Sequence, residues 1–125
     1  RSVMIGLYLL TIGTFLGGVW ANESWGRYWG WDPKETWALV SILVYSFIAH
    51  MHYMPGLKGK FTYNFATLIS YGVILMTYFG VNFYLSGMHS YATGDPVPIP
   101  MWVYVVTTFV IITIAAAYRN RNLKA

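Results

Sequence analysis

The sequence predicts an all-α membrane protein: four transmembrane helices with an external tryptophan-rich loop. Three observations carry this expectation. The chain of 125 residues is 57% hydrophobic and only 10% charged, against about 25% charged in an average soluble domain. Its apolar residues gather into four runs, each long enough, at about 1.5 Å per residue, to cross a hydrocarbon core of roughly 30 Å. Four crossings also sort its charges, with the basic excess on one side.

The first run, residues 3–21, holds no charge and carries Gly13 and Gly17 at GxxxG spacing, which lets a neighbouring helix backbone approach closely. Residues 22–33 follow as a polar, Trp-rich loop, and residues 34–53 form the second helix. Pro55, Gly56 and Gly59 mark a short turn. The third helix, residues 61–85, is the longest and spans with tilt or extends past the interface. Residues 86–100 form a second loop, closed by Asp95, Pro96, Pro98 and Pro100, where alternating prolines favour extended backbone. The last helix, residues 101–118, leads into a basic tail. No internal repeat or low-complexity tract interrupts this order. The chain opens at Arg1 with neither an initiator Met nor a signal-peptide pattern, which reads as the C-terminal part of something longer. Without cysteine, this stretch has no disulfide framework, thiolate metal site or cysteine nucleophile, so metal chemistry would fall to His, Met or carboxylates.

Four crossings put Arg1, Lys58, Lys60, Arg119, Arg121 and Lys124 on one side with no acidic residue. Glu23, Asp32, Glu35 and Asp95 fall on the other, with only Arg27 and Lys34. The positive-inside rule makes the basic side cytoplasmic and both loops periplasmic, in a multi-pass inner (plasma) membrane protein. With the basic excess explained by topology, a nucleic-acid partner is not indicated.

The outward segment packs Trp25, Trp29, Trp31 and Trp37 around Gly26 and Gly30. One reading is an aromatic belt at the headgroup level. The other is a set of ring faces presented to one flat apolar ligand such as a porphyrin, since glycines permit the tight turns this needs. Asp32 at N-cap, Pro33 at N1 and Glu35 at N3 form a capping box, so these carboxylates read as helix-start residues before catalytic ones. The helix N-terminus then turns its positive dipole end toward the aromatic loop. Arg27 and Lys34 add cations suited either to porphyrin propionates or to lipid phosphate.

His50 lies fifteen residues after Glu35, about 22 Å along the helix, near the cytoplasmic boundary yet at membrane depth, where ionisable residues are functional candidates. His52 points about 200° away on an ideal helix, so only one of the two serves a given site, and polarity does not choose between them. His89 lies in the outward loop on the Trp side. Most of the bilayer separates it from His50, so each needs another metal-ligating partner. Met88 is a candidate soft ligand, though a loop Met beside Gly is usually a packing contact.

The run Trp-Gly-Arg-Tyr-Trp-Gly-Trp-Asp-Pro-Lys-Glu-Thr-Trp, residues 25–37, resembles the WWD motif of the heme-handling membrane proteins. The similarity is to the CcsA family (ResC in some bacteria) of System II cytochrome c biogenesis, including fused CcsBA synthases, and it extends over essentially the whole chain. It implies export of heme b and its thioether attachment to the CxxCH motif of apocytochrome c, as a holocytochrome c synthase. By the same resemblance His50 is the transmembrane axial ligand and His89 an external one, while Trp25, Arg27, Trp29, Trp31, Asp32, Lys34 and Trp37 belong to the heme-binding segment. The family's first external histidine precedes this segment, and no His occurs between Arg1 and Asn22. The missing ligands are therefore expected from a CcsB-like subunit or a fused N-terminal region, with membrane lipid around the whole. Other readings of the sequence are an exporter that loads a heme chaperone, like the System I WWD proteins, a cytochrome b-like electron-transfer subunit, and a structural anchor.

Overall fold

No proline interrupts the chain before Gly26, so the first helix, α1 (Ser2–Trp25), runs past its uncharged apolar stretch. Gly26 ends it in the left-handed conformation at φ 71°, its N–H donating to the Asn22 carbonyl at 2.8 Å. The remaining elements of the computed structural model, which describes residues 1–85, 87 and 98–120, are also helical. They are α2 (Pro33–His50) with a 3-10 turn (Met51–Tyr53), α3 (Lys60–Leu75) with a π-helical turn (Met76–Gly80), the short α4 (Val81–Phe83), and α5 (Met101–Asn120). No strand occurs among the described residues. His89, Met88, Asp95, Pro96, Arg121 and Lys124 lie outside the described residues.

Among the described residues, three helices are long and apolar enough to cross a membrane: Ser2–Trp25, Lys60–Phe83 and Met101–Asn120. The second helix is not among them, because it has 18 residues and spends its first turn on Pro33, Lys34, Glu35 and Thr36. Ile5, Leu9, Phe15 and Leu16 on α1, and Val105, Phe109, Ile111 and Ile112 on α5, are exposed. In water that much apolar surface is a liability, whereas lipid accepts it. Thr11, Thr14, Thr67, Thr77, Thr108 and Thr113 in these spans donate to the carbonyl four residues back, as Thr11 does to Leu7 and Thr14 to Leu10, both at 2.8 Å. Their hydroxyls need no water at membrane depth.

The second helix packs between α1 and α3. Its buried contacts include Ser41, fully inaccessible, and Ile48. Ser41 Oγ bonds the Trp37 carbonyl at 2.9 Å and Thr77 Oγ1 at 3.0 Å, while Thr77 Oγ1 also reaches the Trp37 carbonyl at 3.1 Å and the Val73 carbonyl at 2.9 Å. Two hydroxyl protons are thus shared over two carbonyls and one another. Thr77 sits in the π-helical turn, which the continuous helix expected over residues 61–85 did not include. A wider turn changes the phase of everything after it, and here Asn82 comes within 3.5 Å of Lys34 Nζ.

The ends of the helices sort by charge. One cleft is lined by Arg1 and Val3 at the start of α1, Tyr45 late in α2, and Tyr63 early in α3. The Phe61 and Tyr118 rings, 5.9 Å apart, bring the end of α5 to the same place. Arg1, Lys58, Lys60 and Arg119 therefore share one end of the bundle, and Glu23, Asp32 and Glu35 the other.

Candidate functional site

The acidic end is built on the turn between α1 and α2. Asn22, Glu23, Ser24 and Trp25, expected in the loop, are instead the last turn of α1, because their polarity does not stop a helix and Gly26 does. Trp25 therefore projects from a helix, its ring edge-on to Trp20 at 5.1 Å and 80°. The loop proper then consists of residues 26–32.

The expected capping box is present at the start of α2. Asp32, 7% exposed, accepts from the Lys34 N–H at 3.4 Å, and its carbonyl takes the Thr36 N–H at 2.9 Å. Glu35 Oε2 accepts from two backbone donors, Gly30 N–H at 2.7 Å and Asp32 N–H at 3.2 Å. The carboxylate of Glu35 thus cross-ties the loop to the helix, which is a positioning role. Between those donors lies Trp31 at φ 57°, a conformation bulky L-residues avoid. Its ring is 71% exposed and meets Trp29 edge-on at 5.8 Å and 89°. The Arg27 guanidinium lies against the Cα of Gly30, where a Cβ would meet Arg27 Cζ at 2.5 Å.

Beside this turn a cleft of about 480 Å³ opens along α1, within the size range of small-molecule sites. Gly13 and Gly17 line it, with Trp20, Tyr28, Trp29 and Lys34. The GxxxG pair was expected to admit another helix backbone, but a Cβ at either position would meet nothing within 4 Å. The close approach falls at Gly18 instead, where a Cβ would lie 3.1 Å from the Tyr28 carbonyl oxygen. Of the seven sequence-predicted residues of the segment, Trp29 and Lys34 reach this cleft, whereas Trp25, Arg27, Trp31, Asp32 and Trp37 do not line it. Trp20, missed by sequence reasoning, belongs to this end. Its signal was its position one turn before the Trp25 cluster.

Gly87, four residues after α4, lies at the same place. A Cβ at Gly87 would collide with Asp32 Oδ1 and lie 2.9 Å from Pro33 Cδ, so only glycine lets this strand of backbone rest on the capping box. His89 follows two positions later in sequence, outside the described residues.

At the other end, His50 closes α2 and His52 sits in the 3-10 turn, both exposed. His50 Nδ1 is 2.7 Å from the Ser46 carbonyl and His52 Nδ1 3.0 Å from the Ala49 carbonyl. A carbonyl only accepts, so each Nδ1 donates in this contact, which leaves Nε2 as the ring nitrogen that could meet a metal. Tyr53 lies 3.8 Å from the His52 ring and 6.2 Å from that of His50, because the tightened turn departs from ideal α geometry. About 25 Å of helix separates His50 from Pro33. Among the described residues, no group of three or more His, Cys, Asp and Glu is placed to hold a metal ion.

Residues 1–89 match the family described as Cytochrome C assembly protein. The chain is 59% identical over 97 residues to the protein NrfI of Wolinella succinogenes, a match covering 78% of this chain and 11% of that protein. It is 48% identical over 91 residues to the cytochrome c biogenesis protein CcsA of Prochlorococcus marinus strain MIT 9515, covering 73% of this chain and 29% of the relative. For CcsA of Synechococcus sp. strain JA-3-3Ab the identity is 50% over 91 residues, covering 73% and 26%. The chain therefore spans less than a third of each of these relatives.

Proposed function

The chain belongs to the cytochrome c assembly protein family, as a CcsA-type cytochrome c biogenesis protein, and from that premise we propose that it serves a System II synthase. In this reading it carries heme b outward and joins it to the CxxCH cysteines of apocytochrome c. The observation that supports this most is the Trp-walled cleft with Lys34 beside it, built on a loop that Glu35 ties to the start of α2.

Heme is the cargo and substrate. Trp29 offers it aromatic surface within the cleft, with Trp25 and Trp31 outside it, and Lys34 in the cleft and Arg27 outside it offer its propionates charge-assisted hydrogen bonds. Asp32 and Trp37 act through the backbone, one as helix cap and the other through the Ser41–Thr77 lock. His89, two positions after Gly87 in sequence, is the external iron ligand, and His50 is the ligand at membrane depth. Their partner ligands come from a CcsB-like subunit or an N-terminal region fused to this one. The second helix crosses the membrane as well, flanked by spanning helices, which gives four spans with the basic end cytoplasmic and the Trp end periplasmic.

In the attachment step each cysteine S–H adds across a vinyl group. A carbon–sulfur bond forms, the vinyl double bond becomes single, and the thiol proton goes to the neighbouring carbon. No residue of this chain need act as nucleophile. Its contribution is to hold the vinyl groups against the thiols, an effect worth up to about 7–11 kcal/mol when geometry is near attack.

Co-expression of the full-length protein and its partner with an apocytochrome c, in a host lacking other maturation proteins and heme chaperones, tests this reading. Covalent heme on the cytochrome is the expected result. Exported heme without covalent product, rescued only by a chaperone, assigns the protein to export alone.

Trp31→Gly separates strain from function. Left-handed backbone costs a bulky residue about 1–2 kcal/mol, and the exposed ring gives little burial in return. The variant should therefore melt no lower than wild type yet bind heme more weakly. A stable variant with unchanged heme affinity removes Trp31 from the platform.

A further inference from the structure

The basic end of the bundle holds a second site. A pocket of about 310 Å³ lies between the 3-10 turn after α2 and the start of α3, lined by His52, Leu57, Lys58, Lys60, Tyr63 and Asn64. Through Tyr63 and Asn64 it adjoins a cleft of about 520 Å³ that runs past Arg1, Leu68 and Tyr71. The sequence contains no Asp or Glu between Glu35 and Asp95. Glu23, Asp32 and Glu35 stand at the opposite end, so no acidic side chain among the described residues neutralises this cluster. Gly59, as N-cap of α3, offers no side chain to the first-turn N–H groups, which adds to the positive field.

The pocket lies at helix ends, the level of lipid headgroups, and the adjoining cleft descends along α3 past Asn64 and Thr67 to Leu68 and Tyr71, with Val3 and Tyr45 also lining it. Positive charge above and apolar surface below match one chemistry, an anionic amphiphile. We propose that this pocket binds the phosphate headgroup of an anionic phospholipid, with an acyl chain in the cleft beside Leu68 and Tyr71. Basic pockets between membrane helices recognise such headgroups by charge and hydrogen bonding. The site is separate from the Trp end and does not depend on heme handling there.

Native mass spectrometry of the full-length protein, supplied with phosphatidylglycerol or phosphatidylcholine, tests the proposal. Wild type should retain phosphatidylglycerol and not phosphatidylcholine. Lys58→Gln with Lys60→Gln should bind it roughly thirtyfold more weakly, the effect expected from removing two basic residues at an anionic lipid surface. Lys58→Arg with Lys60→Arg should restore binding, which separates lost charge from misfolding. Arg119→Gln, at the same end but outside the pocket, should bind as wild type does. Equal retention of the two lipids, or equal loss in Arg119→Gln, would overturn the proposal in favour of diffuse surface charge. Displacement of the lipid by soluble glycerol phosphate would reduce the site to a phosphate site, and displacement by stoichiometric heme would reassign it to heme; either result also overturns it.

Discussion

Replacing His89 by alanine in the full-length assembly is expected to abolish holocytochrome c and to strip heme from the periplasmic side, while heme held near His50 persists. The expectation rests on the seating of Gly87 against Asp32 and Pro33, which brings the chain back to the Trp loop just before His89. An imidazole supplied from this loop would fix the iron, and the aromatic surface would fix the ring. Loss of the ligand leaves the ring held by apolar contact alone, too loosely to keep vinyl groups within reach of the thiols. Absorption spectra of the purified variant and cytochrome c yield in the same cells check this. An unchanged spectrum together with an unchanged yield would remove His89 from the site.

The second large effect is expected at Glu35. One carboxylate oxygen takes both the Gly30 and the Asp32 N–H, so Glu35→Ala breaks the N3 half of the capping box, leaving Asp32 as N-cap, and releases the loop that holds Trp31 in its left-handed conformation. Loss of a cap alone costs about 0.5–2 kcal/mol, and charge-assisted bonds lie at the strong end of such interactions. Thermal stability and heme retention should fall together. Glu35→Gln, which keeps an acceptor in place without the charge, should recover most of both. A variant that loses stability but binds heme normally would show that the capped loop does not organise the heme platform.

The parts of this architecture that local chemistry decides were legible in the sequence. Asp32, Pro33 and Glu35 specify a helix start within four residues, and the capping box lies there. Charge segregation, read from the order of the runs, reappears among the described residues, where Arg1, Lys58, Lys60 and Arg119 lie at one end and Glu23, Asp32 and Glu35 at the other. The end of α1 was less legible. Polar residues 22–24 suggested a loop, yet the positive φ of Gly26 is what stops the helix. Nothing local announces the π-helical turn, because it is coupled to a Thr77–Ser41 contact between residues 36 positions apart. Trp31 at positive φ runs against residue preference and is held there by Glu35, a demand of the site that propensity does not encode. Gly13 and Gly17, read as a point of close helix approach, meet no neighbour among the described residues; the close approach falls at Gly18, and the two glycines line a cleft.

As a seat for heme, the tryptophan end of the bundle should be visible in a cryo-EM map of the full-length protein purified from heme-replete cells. Planar density is expected against Trp25, Trp29 and Trp31, with iron bonded to the imidazole of His89. Heme bound elsewhere, with lipid or nothing between those indoles and His89, would show that this end is not the heme seat.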